Sequence, residues 1–117
     1  MLVCTPVTSS QTGAAIERRA ARHYRWRGYR VLARNVWAGG YELDLIVRRG
    51  SRLVFCEVKG KTGTGWGDPL EMVNEEKVRR LHRAATAWLA RNPSCAGLDL
   101  CIEVVAVRPD RLERVQV

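Results

Sequence analysis

The order of the sequence patterns limits the fold of this chain more than any other feature. Apolar residues at helical spacing alternate with β-forming runs that glycine-containing turns separate. These patterns predict a helix at 12–27, strands at 29–36, 42–49 and 53–59, a helix at 74–92, and strands at 99–107 and 112–117. The order α-β-β-β-α-β-β predicts an α/β protein in which helices flank a mixed β-sheet.

The length of 117 residues favours one domain over two. Residues 1–12 mix small, polar and apolar side chains without periodicity, which predicts a flexible N-terminal tail, so we assign 13–117 to a single domain. The stretch from Gly60 to Val73 contains four glycines and one proline. We therefore expect it to form a surface loop.

The apolar runs are too short to cross a bilayer, which takes roughly 20 residues. The N-terminal stretch lacks a basic segment followed by a long apolar one, as a secretory signal would have. We therefore expect a cytoplasmic protein. A structural zinc site is not expected, because the four cysteines form no C-x-x-C pair and have no histidines at ligand spacing: Cys4, Cys56, Cys95 and Cys101.

The formal net charge is +8, and most of the positive charge comes from arginine. Such a charge favours a polyanionic partner, with nucleic acid as the natural candidate. The alternative is that the arginine content reflects only composition. Charge alone does not separate the two.

Carboxylates in the middle of apolar strands are costly to bury unless they are paired, hydrogen-bonded or bound to a metal. Period-two alternation predicts that Glu42, Asp44 and Ile46 share one face of the second strand, opposite the leucines at 43 and 45. In the third strand it places Glu57 and Lys59 on one face. If the two strands pair as a hairpin, Asp44, Glu57 and Lys59 converge.

Hard oxygen ligands at such a point suit Mg²⁺ or Mn²⁺. Lys59, two residues after Glu57, can hold a phosphate or stabilise charge that develops in a transition state. A metal there would activate water for hydrolysis of a phosphodiester. The alternative is that Asp44 and Glu57 face solvent from a one-sided sheet, with Lys59 as an ordinary cross-strand partner.

From Gly13 onward the chain resembles an uncharacterised bacterial family of predicted endonucleases, the UPF0102/YraN-like family, which is related to archaeal Holliday-junction resolvases. The matching segments are Glu17 with Ala20-Ala21, Gly28-Tyr29-Arg30-Val31-Leu32-Ala33-Arg34-Asn35, Glu42-Leu43-Asp44-Leu45-Ile46, Val54-Phe55-Cys56-Glu57-Val58-Lys59, then Gly67, Pro69, Glu71, Val73, Lys77, Trp88-Leu89 and Val104-Val105-Ala106-Val107. The resemblance implies a restriction-endonuclease-like fold.

It also implies a PD-(D/E)xK-type site. In such a site Asp44, Glu57, Lys59 and Glu17 are the catalytic residues, and the three carboxylates among them are the metal ligands. Without the resemblance, Glu17 reads as a surface helix residue that pairs with a nearby arginine. We assign contacts with nucleic acid to four further residues: Lys61, Lys77, Arg34 and Trp66.

The roles of four residues stay open on the sequence alone. Tyr41 stands where the family usually has glycine, and it either narrows the site or offers a surface for a base. Trp66 either stacks on a base or covers the sheet as part of a lid. Glu103 lies near the site or, as we favour, on an exposed strand face. Glu42 either faces the same site as Asp44 or has a structural role.

These inferences predict a Mg²⁺-dependent nuclease that hydrolyses phosphodiester bonds in DNA, with branched or structured DNA as the substrate that the resolvase resemblance suggests. The alternative is a nucleic-acid-binding module with the same fold and little or no turnover. The resemblance also allows a homodimer, because relatives that cut symmetric junctions are dimers. Nothing in the sequence identifies a dimer surface.

Overall fold

The computed structural model describes residues 9–60, 70 and 73–117. Its elements are α1 Ser9–Trp26, β1 Arg30–Ala38, β2 Tyr41–Arg49, β3 Arg52–Gly60, α2 Glu75–Arg91, a short 3-10 turn Pro93–Cys95, β4 Asp99–Val107 and β5 Leu112–Gln116. The predicted order α-β-β-β-α-β-β is therefore confirmed. Helix α1 begins at Ser9, earlier than predicted. The rest of the predicted tail and almost all of the predicted 60–73 loop lie outside the described residues.

The five strands form one mixed sheet in the order β1-β2-β3-β4-β5. Three neighbouring pairs are antiparallel, whereas β3 and β4 run parallel and are joined by the crossover helix α2. This arrangement confirms the predicted mixed sheet flanked by helices. No helix in the described part of the chain is long and apolar enough to span a membrane.

Each face of the sheet is covered by one helix. On the α1 face, Ala20, Ala21 and Tyr24 pack against strand residues such as Val54 and Cys56. On the α2 face, the packed side chains come from both the helix and the strands: Leu81, Ala84, Ala85, Trp88, Leu43, Ile46, Leu53, Phe55 and Ile102. The central strands are thus buried on both sides, as the apolar character of β3 and β4 requires.

Two glycines allow the helices to approach the strands closely. Gly39 has a φ of +57°, and a Cβ there would lie 2.9 Å from the carbonyl oxygen of Arg83 in α2. Gly60, the last residue of β3, leaves room for Ile16 of α1, which a side chain at position 60 would meet. The second contact holds the N-terminal half of α1 over the end of β3, and this half carries Glu17.

The expected alternation in β2 is wrong at one residue. Leu43 packs on the α2 face together with Ile46, whereas Leu45 and Val47 pack on the α1 face. The paired register between β2 and β3 stops at Leu45 and Cys56. Beyond that point the backbone N–H of Val58 in β3 donates a hydrogen bond to the side chain of Asp44, and β2 departs from a regular pleat.

Candidate functional site

Glu57 is the centre of the candidate site, at the end of β3 on the α2 face. It is a buried carboxylate with only 5% of its surface exposed. Its Oε1 accepts a hydrogen bond of 3.3 Å from the Tyr41 hydroxyl and lies 3.5 Å from Lys59 Nζ and 3.8 Å from Lys77 Nζ. Its Oε2 is buried, and none of the residues that the structure describes donates a hydrogen bond to it. Within the described part of the chain, the donors near this carboxylate therefore all lie at Oε1.

The first turn of α2 brings Lys77 to this point. Asn74 caps the helix as predicted, because its side-chain oxygen accepts a 2.9 Å hydrogen bond from the backbone N–H of Lys77. Burial and the neighbouring Lys59 ammonium lower the pKa of Lys77. Burial opposes the charge of Lys59 as well, but Lys77 and Glu57 outweigh it and raise the pKa of Lys59. Lys59 is therefore the lysine that keeps its charge more firmly.

Asp44 lies beside Glu57 across the β2–β3 hairpin, as predicted. Its Oδ2 accepts a 2.8 Å hydrogen bond from the backbone N–H of Val58. Burial raises the pKa of Asp44 to about 7, against the opposing effect of the Val58 hydrogen bond, and the carboxylates of Glu57, Glu17 and Glu42 raise it further. Asp44 is thus a carboxylate that would be stabilised by a nearby cation.

Glu17 approaches this group from α1 on the other side. It is half-buried, and burial raises its pKa although a hydrogen bond with the Asn35 side chain works in the opposite direction. Glu42 raises the pKa of Glu17 and Arg34 lowers it. Glu17 and Asp44 interact electrostatically, and no direct hydrogen bond joins them among the described residues. Four carboxylates therefore share one negative region.

Among the described residues, no group of three or more His, Cys, Asp and Glu side chains is placed to hold a metal ion. Mg²⁺ commonly uses only one or two protein carboxylates and keeps several waters. Asp44 and Glu57 fit this smaller set. A bound divalent cation would contact Glu57 Oε2, which has no hydrogen-bond partner among the described residues, and would stabilise the negative charge of Asp44, whose pKa is raised.

The structure brings together three of the predicted catalytic residues, Asp44, Glu57 and Lys59, and places Glu17 within electrostatic range. Of the residues predicted to contact nucleic acid, Lys77 belongs to the Glu57 site, and Arg34 is exposed on β1 beside Glu17. Lys61 and Trp66 lie outside the described residues. The functional roles of all of them stay predictions.

The sequence reasoning missed the contact between Tyr41 and Glu57. The sequence predicts that Tyr41 narrows the site or stacks on a base, whereas in the structure its hydroxyl donates a hydrogen bond to Glu57. Burial and the charge of Glu57 raise the pKa of Tyr41. The position of Tyr41 at the start of β2 indicates this contact, because a long side chain there can reach a residue near the end of the paired strand β3.

The expectation that Glu103 lies on an exposed strand face is wrong. Glu103 is buried on the α1 face, where Tyr24 donates a 2.5 Å hydrogen bond and Arg114 donates two, of 2.9 and 3.2 Å. Arg52 adds an ion pair at 3.2 Å. Burial alone would raise the pKa of Glu103, but the bonds from Arg114 and Tyr24 hold it below its usual value. These partners make Glu103 a structural carboxylate on the opposite face from Glu57.

Comparison with known proteins gives one consistent family. The model of the family described as "Uncharacterised protein family UPF0102" matches residues 16–107. A "UPF0102 protein" from Acidothermus cellulolyticus is 45% identical over 76 residues, which is 65% of this chain and 58% of that relative. One from Symbiobacterium thermophilum is 42% identical over 105 residues, covering 86% and 85%, and one from a Parafrankia species is 36% identical over 109 residues, covering 93% and 92%. The matched segment contains all four predicted catalytic residues.

Proposed function

We propose that this chain, which belongs to the uncharacterised protein family UPF0102, is a metal-dependent nuclease that hydrolyses phosphodiester bonds in DNA. The observation that carries the proposal is the environment of Glu57. Three groups meet at one end of a hairpin: a buried carboxylate, one oxygen of which has no hydrogen-bond partner among the described residues, a second carboxylate with a raised pKa, and a charged lysine. Perturbed groups that converge in this way are typical of active sites.

The individual residues support a division of labour. Asp44 and Glu57 would hold a Mg²⁺ or Mn²⁺ ion, with Glu17 as an outer carboxylate. Lys59 would bind a non-bridging oxygen of the scissile phosphate, since its ammonium stays charged beside Glu57. When bound, the ion supplies a Lewis acid for the phosphate and a more acidic water.

The net charge of +8 and the resemblance to predicted endonucleases related to Holliday-junction resolvases support DNA, including branched DNA, as the substrate. The positive charge of the protein attracts the phosphate backbone of DNA, whereas the buried carboxylates repel it. Lys59 and Lys77 would reduce this repulsion, because both pair with Glu57 and both can turn toward a phosphate.

A second candidate is a nucleic-acid-binding module that uses this fold with little or no turnover. One observation favours it: Glu57 Oε1 is already surrounded by Tyr41, Lys59 and Lys77, which partly neutralise the carboxylate that a metal would need. In this role the lysines would bind backbone phosphates, and no hydrolysis would follow.

The test is cleavage of end-labelled linear duplex, single-stranded and four-way-junction DNA with Mg²⁺ or Mn²⁺. We expect cleavage by the wild type and a loss of about 100-fold or more in Asp44→Asn and Lys59→Ala. The matched control is Asp99→Asn, because Asp99 is an exposed carboxylate that receives a hydrogen bond only from Ser51 among the described residues. Its cleavage rate should equal that of the wild type.

Binding of Mn²⁺ gives a readout that does not depend on turnover. Titration followed by electron paramagnetic resonance should show a site that is lost in Glu57→Gln and kept in Asp99→Asn. A wild type that binds DNA but neither cuts any of the substrates nor binds Mn²⁺ would leave the second candidate as the function.

A further inference from the structure

An arginine-lined notch lies at the other end of the β2–β3 hairpin from Glu57. Its volume is about 360 Å³, and its lining residues are Gly28, Arg30, Arg48, Arg49 and Gly50. The turn after α1 and the turn between β2 and β3 form its two sides. Positive charge is thus concentrated in a concave surface that the predicted active site does not use.

No acidic side chain in the described part of the chain pairs with the arginines of this notch. None of the ion pairs formed by the described residues includes Arg30, Arg48 or Arg49. Arg30 and Arg48 are direct partners in the antiparallel register of β1 and β2. Like charges at such positions destabilise a sheet. A bound anion would remove this repulsion.

Two of the guanidinium groups are held in place by the surrounding backbone. Arg48 Nε donates to the carbonyl oxygen of Gly50 at 2.8 Å, and Arg49 Nη1 donates to that of Arg27 at 2.9 Å. Arg49 also lies 4.7 Å from the centre of the Tyr29 ring. Each of these hydrogen bonds uses one of the five N–H donors of an arginine, so most donors remain for a ligand.

An exposed tryptophan lies next to the notch in the chain. Trp26, two residues before Gly28, has 82% of its surface exposed and contributes nothing to either apolar core. An indole in this position can stack on a base, and arginines beside an aromatic ring are typical of surfaces that bind nucleic acid.

We propose that Arg30, Arg48 and Arg49 bind backbone phosphates of a nucleic acid at a second site, separate from the Glu57 site, and that Trp26 stacks on one of the bases. This inference rests on the nucleic-acid partner of the proposed function. Asp44 and Arg48 are four residues apart on one strand, which is about 13 Å. Since a nucleic-acid strand advances about 3.4 Å per phosphate, this corresponds to about four nucleotides from the scissile position.

The experiment measures affinity for labelled duplex DNA by fluorescence anisotropy over a salt titration, without divalent cations so that no DNA is cut. Each phosphate contact that is lost should reduce the magnitude of the log–log slope by about 0.9. We therefore expect a decrease of up to about 1.8 in the double variant Arg30→Ala/Arg48→Ala. The variant Arg30→Lys/Arg48→Lys should retain most of the slope, because it keeps both charges.

The matched control is Arg22→Ala/Arg83→Ala, which removes two exposed arginines and the same net charge. An equal decrease in this control would mean that general charge and not the notch binds DNA, and would overturn the inference. An unchanged slope in Arg30→Ala/Arg48→Ala would overturn it too. If the wild type itself shows no salt-dependent binding, the proposed function fails first.

Two further arms identify the ligand. On single-stranded DNA, Trp26→Ala should lose about tenfold in affinity, whereas Trp37→Ala should lose none, although Trp37 is also strongly exposed, at 66%. Equal losses would remove the assignment of Trp26. Vesicles that contain anionic phospholipid test the competing partner. Notch-dependent binding to vesicles without binding to DNA would overturn the inference in favour of a membrane surface.

Discussion

Glu57 and Glu103 are buried carboxylates on the neighbouring parallel strands β3 and β4, and they differ in how completely the protein satisfies them. Glu103 receives hydrogen bonds of 2.5 to 3.2 Å from Tyr24, Arg114 and Arg52, and these reach both of its oxygens. Among the described residues, the contacts of Glu57 are 3.3 to 3.8 Å long and all lie at one oxygen, and its other oxygen has no hydrogen-bond partner. The two sites lie on opposite faces of one sheet.

This difference separates a structural carboxylate from a candidate functional one. A buried charge that is fully paired contributes to a unique packing and has no capacity left for a ligand. A buried charge with an empty oxygen keeps a cost that a ligand can remove. Burial alone therefore does not distinguish a candidate functional site from a structural one. A buried oxygen that has no partner among the described residues does.

The largest expected effect is on the Glu103 side. Glu103→Ala would leave the buried Tyr24 hydroxyl and the half-buried Arg114 without their acceptor, so we expect the free energy of unfolding to fall by about 3 kcal/mol. Urea denaturation followed by circular dichroism measures this change. Glu57→Ala is the comparison and should cost far less. Equal losses in the two variants would contradict the contrast between the sites.

A smaller and better matched comparison removes the tyrosine hydroxyl that donates a hydrogen bond to each carboxylate. Tyr24→Phe deletes the 2.5 Å hydrogen bond to Glu103, and we expect it to cost about 2 kcal/mol of unfolding free energy. Tyr41→Phe deletes the 3.3 Å hydrogen bond to Glu57 and should cost less than about 1 kcal/mol. Both variants keep the ring. A Tyr41→Phe variant that loses as much stability as Tyr24→Phe would show that Glu57 is also held structurally.

The sequence was sufficient to predict the element order and the convergence of Asp44, Glu57 and Lys59, because both follow from local periodicity and a hairpin. It could not predict the partners of Glu103. Tyr24 is 79 residues away from Glu103 in sequence and Arg52 is 51 away, so only the assembled sheet brings them together. The change of face at Leu43 was missed for a related reason. It depends on the side chain of Asp44, which accepts the hydrogen bond from the Val58 N–H in place of a backbone carbonyl.

The Asp44–Glu57 site and the Glu103 site should also make the free energy of unfolding depend on pH in opposite directions. The pKa of Asp44 is raised from 3.8 to about 7, so the folded protein binds more protons than the unfolded chain in this range. The contribution of Asp44 to stability is therefore present at low pH and is lost as the pH rises through about 7. Glu103 has a lowered pKa, so its contribution is present above about 4.5 and is lost as the pH falls below that value.

Asp44→Asn tests this sign. An asparagine oxygen can still accept the hydrogen bond from Val58, but the variant has no charge to bury. We expect it to be more stable than the wild type by about 1 to 2 kcal/mol at pH 8, less than the full pKa displacement implies because Asp44 is partly accessible to water. The difference should shrink toward pH 5. Unfolding free energies across this range measure it, and a gain that is constant with pH would contradict the assignment.

The smallest expected effect is stabilisation of the wild type by Mg²⁺ at pH 8. A cation that binds the folded protein at Asp44 and Glu57 should add about 1 kcal/mol at a concentration about five times its dissociation constant. Thermal unfolding with MgCl₂, compared with NaCl at equal ionic strength, measures this shift. Asp44→Asn should not respond, whereas Tyr24→Phe should respond like the wild type because it alters only the Glu103 site. If Asp44→Asn is stabilised as much as the wild type, Mg²⁺ binds at a site that does not include Asp44, and the assignment of Asp44 as a metal ligand is wrong.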